Sequence, residues 1–166
     1  REVGRRVVDQ LRHGPYRTVV CYDPPGAEDT IRSWLGGDGL AFRPQRGDGL
    51  GERMGESFRW AFEWAGAVCI VGTDAPGVDA RVVEAAFEAL DDADVVLGPA
   101  TDGGYYLMAL AEPRPELFRE IAWSTPGVLR ATLERAETLG LRVHLLEERT
   151  DLDTAEDLGK LGLAGP

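Results

Sequence analysis

Acidic side chains beside glycines, prolines and the ends of apolar runs mark where this chain can do chemistry. In "VGTDAPG" (71–77) an apolar run ends in Thr73 and Asp74, followed by a bend. Asp is a common turn residue, and Pro-Gly strengthens that reading. A carboxylate at the end of a strand can also hold Mg2+ or Mn2+ against phosphate oxygens. In "GPATDGGYYLM" (98–108), Asp-Gly-Gly between two apolar runs is a hairpin signal. Gly103 and Gly104 also allow close approach of backbone to a ligand, and Asp102 can accept a hydrogen bond from a substrate hydroxyl or amine. In "RTDLDTAEDL" (149–158), Thr154 and Asp157 approximate a capping box. That leaves Asp151 and Asp153 without a structural task, and Asp153 is the better candidate to share a cation with Asp74. "QRGDGLGERM" (45–54) reads as a flexible connector, or as a binding loop in which Asp48, Gly49 and either Arg46 or Arg53 meet a phosphate-bearing ligand. Trp123 and Thr125 could sit at the mouth of a cleft, the indole stacking on a sugar or base, although Trp is more often simply half-buried. His144 falls in a strand and is read as structural.

The elements that must position these groups alternate between helix and strand. Val3, Val7, Val8 and Leu11 lie at helical spacing, so residues 1–13 predict a helix ended by Gly14-Pro15. "RTVVCY" (17–22) predicts a strand, "AEDTIRSWL" a short helix and "LAFRPQ" a weaker strand. Met54, Phe58, Ala61, Phe62 and Ala65 share one helical face. "AVCIVG" (67–72) is a continuous apolar run, as expected of a strand covered on both faces in a parallel sheet and the most buried of the set. A helix around Val82–Leu90 follows, then strands at 94–99 and 105–110. The next helix has Thr125 as expected N-cap, Pro126 in the first turn and Gly140 as its stop. "LRVHLLE" and "TAEDLGKLGL" predict a last strand and helix. The rhythm implies one α/β domain, a three-layer α/β/α arrangement around a mostly parallel mixed sheet, with ligands at the carboxyl ends of the strands.

Composition narrows the partners. The 166 residues suffice for one domain with a proper core. Lys and Arg number 18 against 29 Asp and Glu, a formal net charge of −11, which argues against nucleic acid or an anionic membrane as partner. No apolar run reaches the roughly 18 residues of a membrane span, and no signal peptide is visible. Cys21 and Cys69 each lie inside an apolar run, as small core residues of a cytoplasmic protein do. The two cysteines and two histidines make no zinc pattern.

Taken in order, "QRGDGLGERM", "VGTDAPG", "LGPATDGGYYLMAL", "LF..IAWST" and "DLDTAEDL" resemble the small GT-A-like transferases, described as glycosyltransferase-like or nucleotide-diphospho-sugar transferase-like, often in the company of radical-SAM and selenoprotein-type enzymes. The resemblance runs from about residue 17 to the end. It implies a nucleotide-diphospho-sugar transferase fold, with Asp74 and Asp153 as the metal-side aspartates. Asp102, Gly103 and Gly104 would face the transferred or accepting group. It also implies Mg2+ or Mn2+ as cofactor, a nucleotide or nucleotide sugar plus a small acceptor as substrates, and glycosyl or nucleotidyl transfer as the reaction. The family's first strand and its basic phosphate loop have no counterpart in these residues, and Ala155 stands where the family has proline. A non-catalytic nucleotide-binding or assembly module on the same fold is the alternative. A haloacid-dehalogenase-type phosphohydrolase is disfavoured, because "DLDTA" lies near the end of the chain and not after a first strand.

Overall fold

The computed structural model describes residues 2–75 and 77–149. Helix α1 (Glu2–Leu11) buries Gly4, Val7, Val8 and Leu11, the predicted face. It leads into β1 (Thr18–Tyr22), then α2 (Glu28–Leu35) and β2 (Leu40–Pro44). Helix α3 (Leu50–Ala61) precedes β3 (Val68–Val71), and α4 (Ala80–Ala89) precedes β4 (Val95–Pro99). Strand β5 (Tyr105–Leu110), a 3-10 turn at Pro115–Phe118, α5 (Val128–Thr138) and β6 (Val143–Leu145) complete the described elements. None of the described helices is long and apolar enough to cross a membrane.

The described strands form two sheets, a parallel pair β1-β2 and a four-stranded sheet in the order β3-β5-β4-β6. β4 and β6 are parallel, while β5 runs antiparallel to both β3 and β4. β3 therefore points the same way as β4 and β6. Helix α1 sets the direction of β1. Its first turn passes Thr73 beyond the carboxyl end of β3, with a Cβ at Gly4 falling 3.5 Å from the Thr73 carbonyl. Its last turn receives the Thr18 hydroxyl bond on the Leu11 carbonyl, at the start of β1. β1 thus also runs toward the carboxyl end of β3.

Alternation along each strand divides the core into two layers. Val96, Leu107 and Ala109 pack with Val7 and Leu11 of α1 and Val83 and Ala86 of α4. Val95, Leu97, Met108 and Leu110 pack on the other side with Phe58 of α3 and Ala136 of α5. This is the expected α/β/α arrangement, with one correction: the most buried strand is β4, all five residues of which are buried, whereas all four residues of β3 keep partial exposure. β3 does have helices on both faces, but its ladder partner is the antiparallel β5. Apolar runs of similar length cannot reveal which strand is central, because that depends on what pairs with each edge.

Asp94 fixes the last strand. Its carboxylate accepts from the Arg142 backbone N–H at 2.8 Å and from Nε and Nη2 at 3.2 Å. The Arg142 side-chain hydrogen bond, with the backbone one behind it, holds the carboxyl below its usual range. A depressed folded value contributes stability that is present above the unfolded value of about 3.9 and lost as pH falls through the folded value. Asp94→Ala is expected to lower the melting temperature by a few degrees at neutral pH. The gap to the wild type should close as pH drops below about 4 in a thermal-melt series.

Candidate functional site

The parallel direction of β1, β2, β3, β4 and β6 puts the loops that leave their carboxyl ends at one end of the molecule, where open α/β sheets bind ligands. Asp23, Asp48, Asp74 and Asp102 all lie on those loops.

Asp74 is exposed, in the turn after β3. Its Oδ1 occupies space over Gly72, where a Cβ would lie only 2.6 Å away, so the glycine lets the carboxylate fold back over the strand end. The Gly72 N–H donates to the Tyr106 carbonyl at 2.9 Å, which ties this turn to β5. Arg149 holds the far side of the same loop. Its Nη1 donates to the Gly77 carbonyl, and its guanidinium lies 5.7 Å from the centre of the Tyr106 ring. Thr73 is exposed beside Asp74.

Asp102 sits in the turn between β4 and β5, the hairpin expected from Asp-Gly-Gly. One carboxylate oxygen accepts from the Gly104 N–H at 2.8 Å. Gly103 has φ +90, and a Cβ there would overlap the Pro126 carbonyl. The Gly103 carbonyl accepts from the Leu129 N–H at 2.9 Å, so the turn is seated on the start of α5.

Between β2 and α3, Asp48 and Gly49 are exposed. The Asp48 N–H donates to Glu52 at 2.9 Å, and Gly47 takes φ +123. Arg53 donates to the Gly47 carbonyl and pairs with Asp23 at 3.2 Å, joining this loop to the one after β1. Trp123 covers the first turn of α3 so closely that a Cβ at Gly51 would overlap its indole, and its other neighbour is Phe118, 6.3 Å away and nearly parallel. Thr125 is exposed. Its hydroxyl donates to the Ala122 carbonyl at 2.7 Å and accepts from the Gly127 N–H at 3.4 Å. It is not the N-cap of α5. That position is Gly127, which has no side-chain bond. The Thr-Pro pair builds a turn ahead of the helix and not its first turn.

The structure therefore gathers Asp48, Gly49, Trp123, Thr125, Asp102, Gly103 and Gly104 around the starts of α3 and α5, with Thr73 and Asp74 on the loop beside β5. Asp153, like Asp151 and Thr154, lies outside the described residues. Among the described residues, no three His, Cys, Asp or Glu side chains gather closely enough to hold a metal ion.

The family model for DUF2064, described as an uncharacterized protein conserved in bacteria, matches residues 7–125. The chain belongs to this family. Among solved structures it is similar to a protein from Desulfovibrio desulfuricans G20 provisionally named a nucleotide-diphospho-sugar transferase, at 30% identity over 96% of this chain and 73% of that one, with a TM-score of 0.88. It also resembles 4-diphosphocytidyl-2C-methyl-D-erythritol synthase from Anaerococcus prevotii DSM 20548 (11% identity, 96% and 84% of the two chains, TM-score 0.69). CMP:2-keto-3-deoxy-manno-octonic acid synthetase, in complex with CTP, is similar at 16% identity over 96% and 85% of the chains, with a TM-score of 0.66. No functionally curated protein matches the chain. The two more distant likenesses carry the fold alone. With the first, they establish the nucleotide-diphospho-sugar transferase architecture for this DUF2064 member.

Several contacts that shape the site could not be read from the motifs, and Arg53, a candidate for a phosphate, is instead engaged with Gly47 and Asp23. Arg149, Arg53 and Gly51 act through partners 72, 30 and 72 positions away in the chain, at Gly77, Asp23 and Trp123 respectively, and no local pattern announces such contacts. The Gly51–Trp123 contact is open to a direct check. Gly51→Ala is expected to cost about 1–3 kcal/mol in urea unfolding, as overpacking does. In a Trp123→Ala background the same substitution should cost close to nothing. An equal cost in both backgrounds would remove Trp123 from the first turn of α3.

Proposed function

We propose that the protein is a metal-dependent transferase that uses a nucleotide sugar or a nucleoside triphosphate and passes a glycosyl or nucleotidyl group to a small acceptor. The observation that carries this reading is Asp74, an exposed carboxylate folded over Gly72 at the carboxyl end of β3, in a chain with the architecture of nucleotide-diphospho-sugar transferases. The complex of one structural neighbour with CTP supports a nucleotide as ligand.

The donor chemistry fits Mg2+ or Mn2+. Mg2+ keeps several waters and is commonly held by one or two carboxylates together with substrate phosphates. A single aspartate from the described residues is compatible with that, and Asp153 is the proposed second. When bound, the cation offsets the negative charge that grows on a departing pyrophosphate or nucleoside diphosphate. The remaining roles fall to the chain itself. Asp48 and Gly49 border the nucleotide with Thr73, and Trp123 offers an indole edge beside the start of α3. Asp102, one oxygen held by the Gly104 N–H, uses the other to orient an acceptor hydroxyl and draw off its proton, help typically worth about 10²–10⁴-fold. Gly103 and Gly104 let that acceptor approach the main chain.

The test is a thermal-shift panel of nucleotides and nucleotide sugars with Mn2+, followed by product analysis with candidate acceptors. At least one nucleotide should raise the melting temperature in a Mn2+-dependent way, and Asp74→Asn should abolish that dependence. Asp102→Asn should retain binding and lose about 10²-fold or more in turnover. A panel without any shift, or an Asp74→Asn variant that responds like the wild type, removes the metal-site reading. Nucleotide binding without turnover would favour the non-catalytic module.

A further inference from the structure

Arg149 is bonded to both of the loops that carry Asp74 and Asp102. Past β6 the chain keeps running alongside β4. The Leu146 N–H donates to the Leu97 carbonyl and the Arg149 N–H to the Pro99 carbonyl, each at 2.9 Å, and Arg149 pairs with Ala100 in a parallel bridge. The Arg149 carbonyl then accepts from the Thr101 N–H at 3.0 Å, one residue before Asp102. This backbone lies on the β6 side of β4, whereas Gly77 belongs to the loop beyond β3, at the other edge of the four-stranded sheet. To reach the Gly77 carbonyl, the Arg149 side chain spans the ends of β4 and β5.

The surroundings are shaped to that span. Gly98 leaves room for the Tyr106 ring, and the guanidinium lies over the same ring. Gly77 takes φ +94, and a Cβ there would lie 3.1 Å from Nη1. Asp74 is thus held on both sides, at Gly72 by the Tyr106 carbonyl and at Gly77 by Arg149. Asp102 is held in the same way, at Thr101 by the Arg149 carbonyl and at Gly104, whose carbonyl accepts from the Ala100 N–H at 3.0 Å. Among the described residues no hydrogen bond joins the Asp74 loop directly to the Asp102 turn. The connection runs through Arg149.

We propose that Arg149 is a positioning residue of the site. Its guanidinium and its carbonyl hold the Asp74 loop and the Asp102 turn in one register, which fixes the separation between the carboxylate on the cation side and the carboxylate on the acceptor side. What this positioning serves rests on the transferase reading; the tie between the loops does not. Placement matters to such a reaction, since a displacement of about 1 Å can cost on the order of 10²-fold in rate. Arginine suits the task because its planar fork donates in fixed directions while its face lies on an aromatic ring.

Hydrogen exchange and Mn2+ alone test the proposal on the full chain, without a substrate. Arg149→Met keeps an unbranched apolar stem over Tyr106 and removes the donor. The amides of Gly72, Val78 and Thr101 should then exchange about tenfold faster, as in a local opening, while those of Leu97 and Ala109 stay unchanged. Arg149→Lys should restore most of the protection, because its ammonium can donate to the same carbonyl. Mn2+ bound at Asp74 supplies the second measurement, through the relative paramagnetic broadening of the Gly103 and Gly104 amide resonances. That pattern should shift in Arg149→Met and return in Arg149→Lys. The proposal is overturned if the Thr101 amide does not follow those of Gly72 and Val78, or if the broadening is the same in wild type and Arg149→Met. It is equally overturned if Leu97 and Ala109 speed up as much as the loops, which would leave Arg149 a stabiliser of the whole fold. A wild type that binds no Mn2+ at Asp74 overturns the metal reading instead, and the exchange rates then decide the tie on their own.

Discussion

The main chain of β4 is sealed from water, and the fold is organised around satisfying it. Its five residues are buried on both faces, so every N–H and C=O must find protein. One edge is met by β5 and the other by β6. At the end of the ladder the register shifts between Gly98 and Pro99, where proline has no N–H to offer. Gly98 is required there because the Tyr106 ring lies directly over it. That ring is in turn anchored by its hydroxyl donating to the Glu147 carbonyl at 3.0 Å and covered by Arg149. The central strand, the last strand and the loop beyond β3 are thereby held in one connected arrangement, and the candidate residues hang from its rim.

Much of this was legible in the sequence, because hydrophobic period and chain punctuation are local signals. The faces of α1 and α3, the stop at Gly140 (φ +67), the Asp-Gly-Gly hairpin and the placing of Asp74 past a strand end all follow from neighbours a few residues apart. What the sequence concealed is non-local. β3 and β4 are apolar runs of similar look, and only pairing shows which is sealed. Thr125 looks like a cap, but its hydroxyl is engaged within its own turn and Gly127 takes the cap position. Asp79, the side chain that caps α4 through Val82, carried no distinctive pattern among so many aspartates.

The candidate site shows the same division. Residue types and order pointed to the carboxylates, and parallel strand direction brought their loops to one end of the molecule. What these residues contact was invisible: Arg53 spanning from Gly47 to Asp23, Arg149 on Gly77, and Trp123 over Gly51. Each joins loops that are distant in sequence, so each depends on the completed topology and not on a local motif.

The seating of the β4–β5 turn on α5 has a mechanical consequence. Gly103 touches Pro126 without room for a Cβ, and its carbonyl takes the Leu129 N–H. Asp102 is therefore fastened to the head of a helix whose outer face, with Arg130 and Glu134, is open to solvent. The turn that carries Asp102 and the start of α5 thus share one support, and the position of the carboxylate is tied to the seating of that helix as well as to the strands on either side of it.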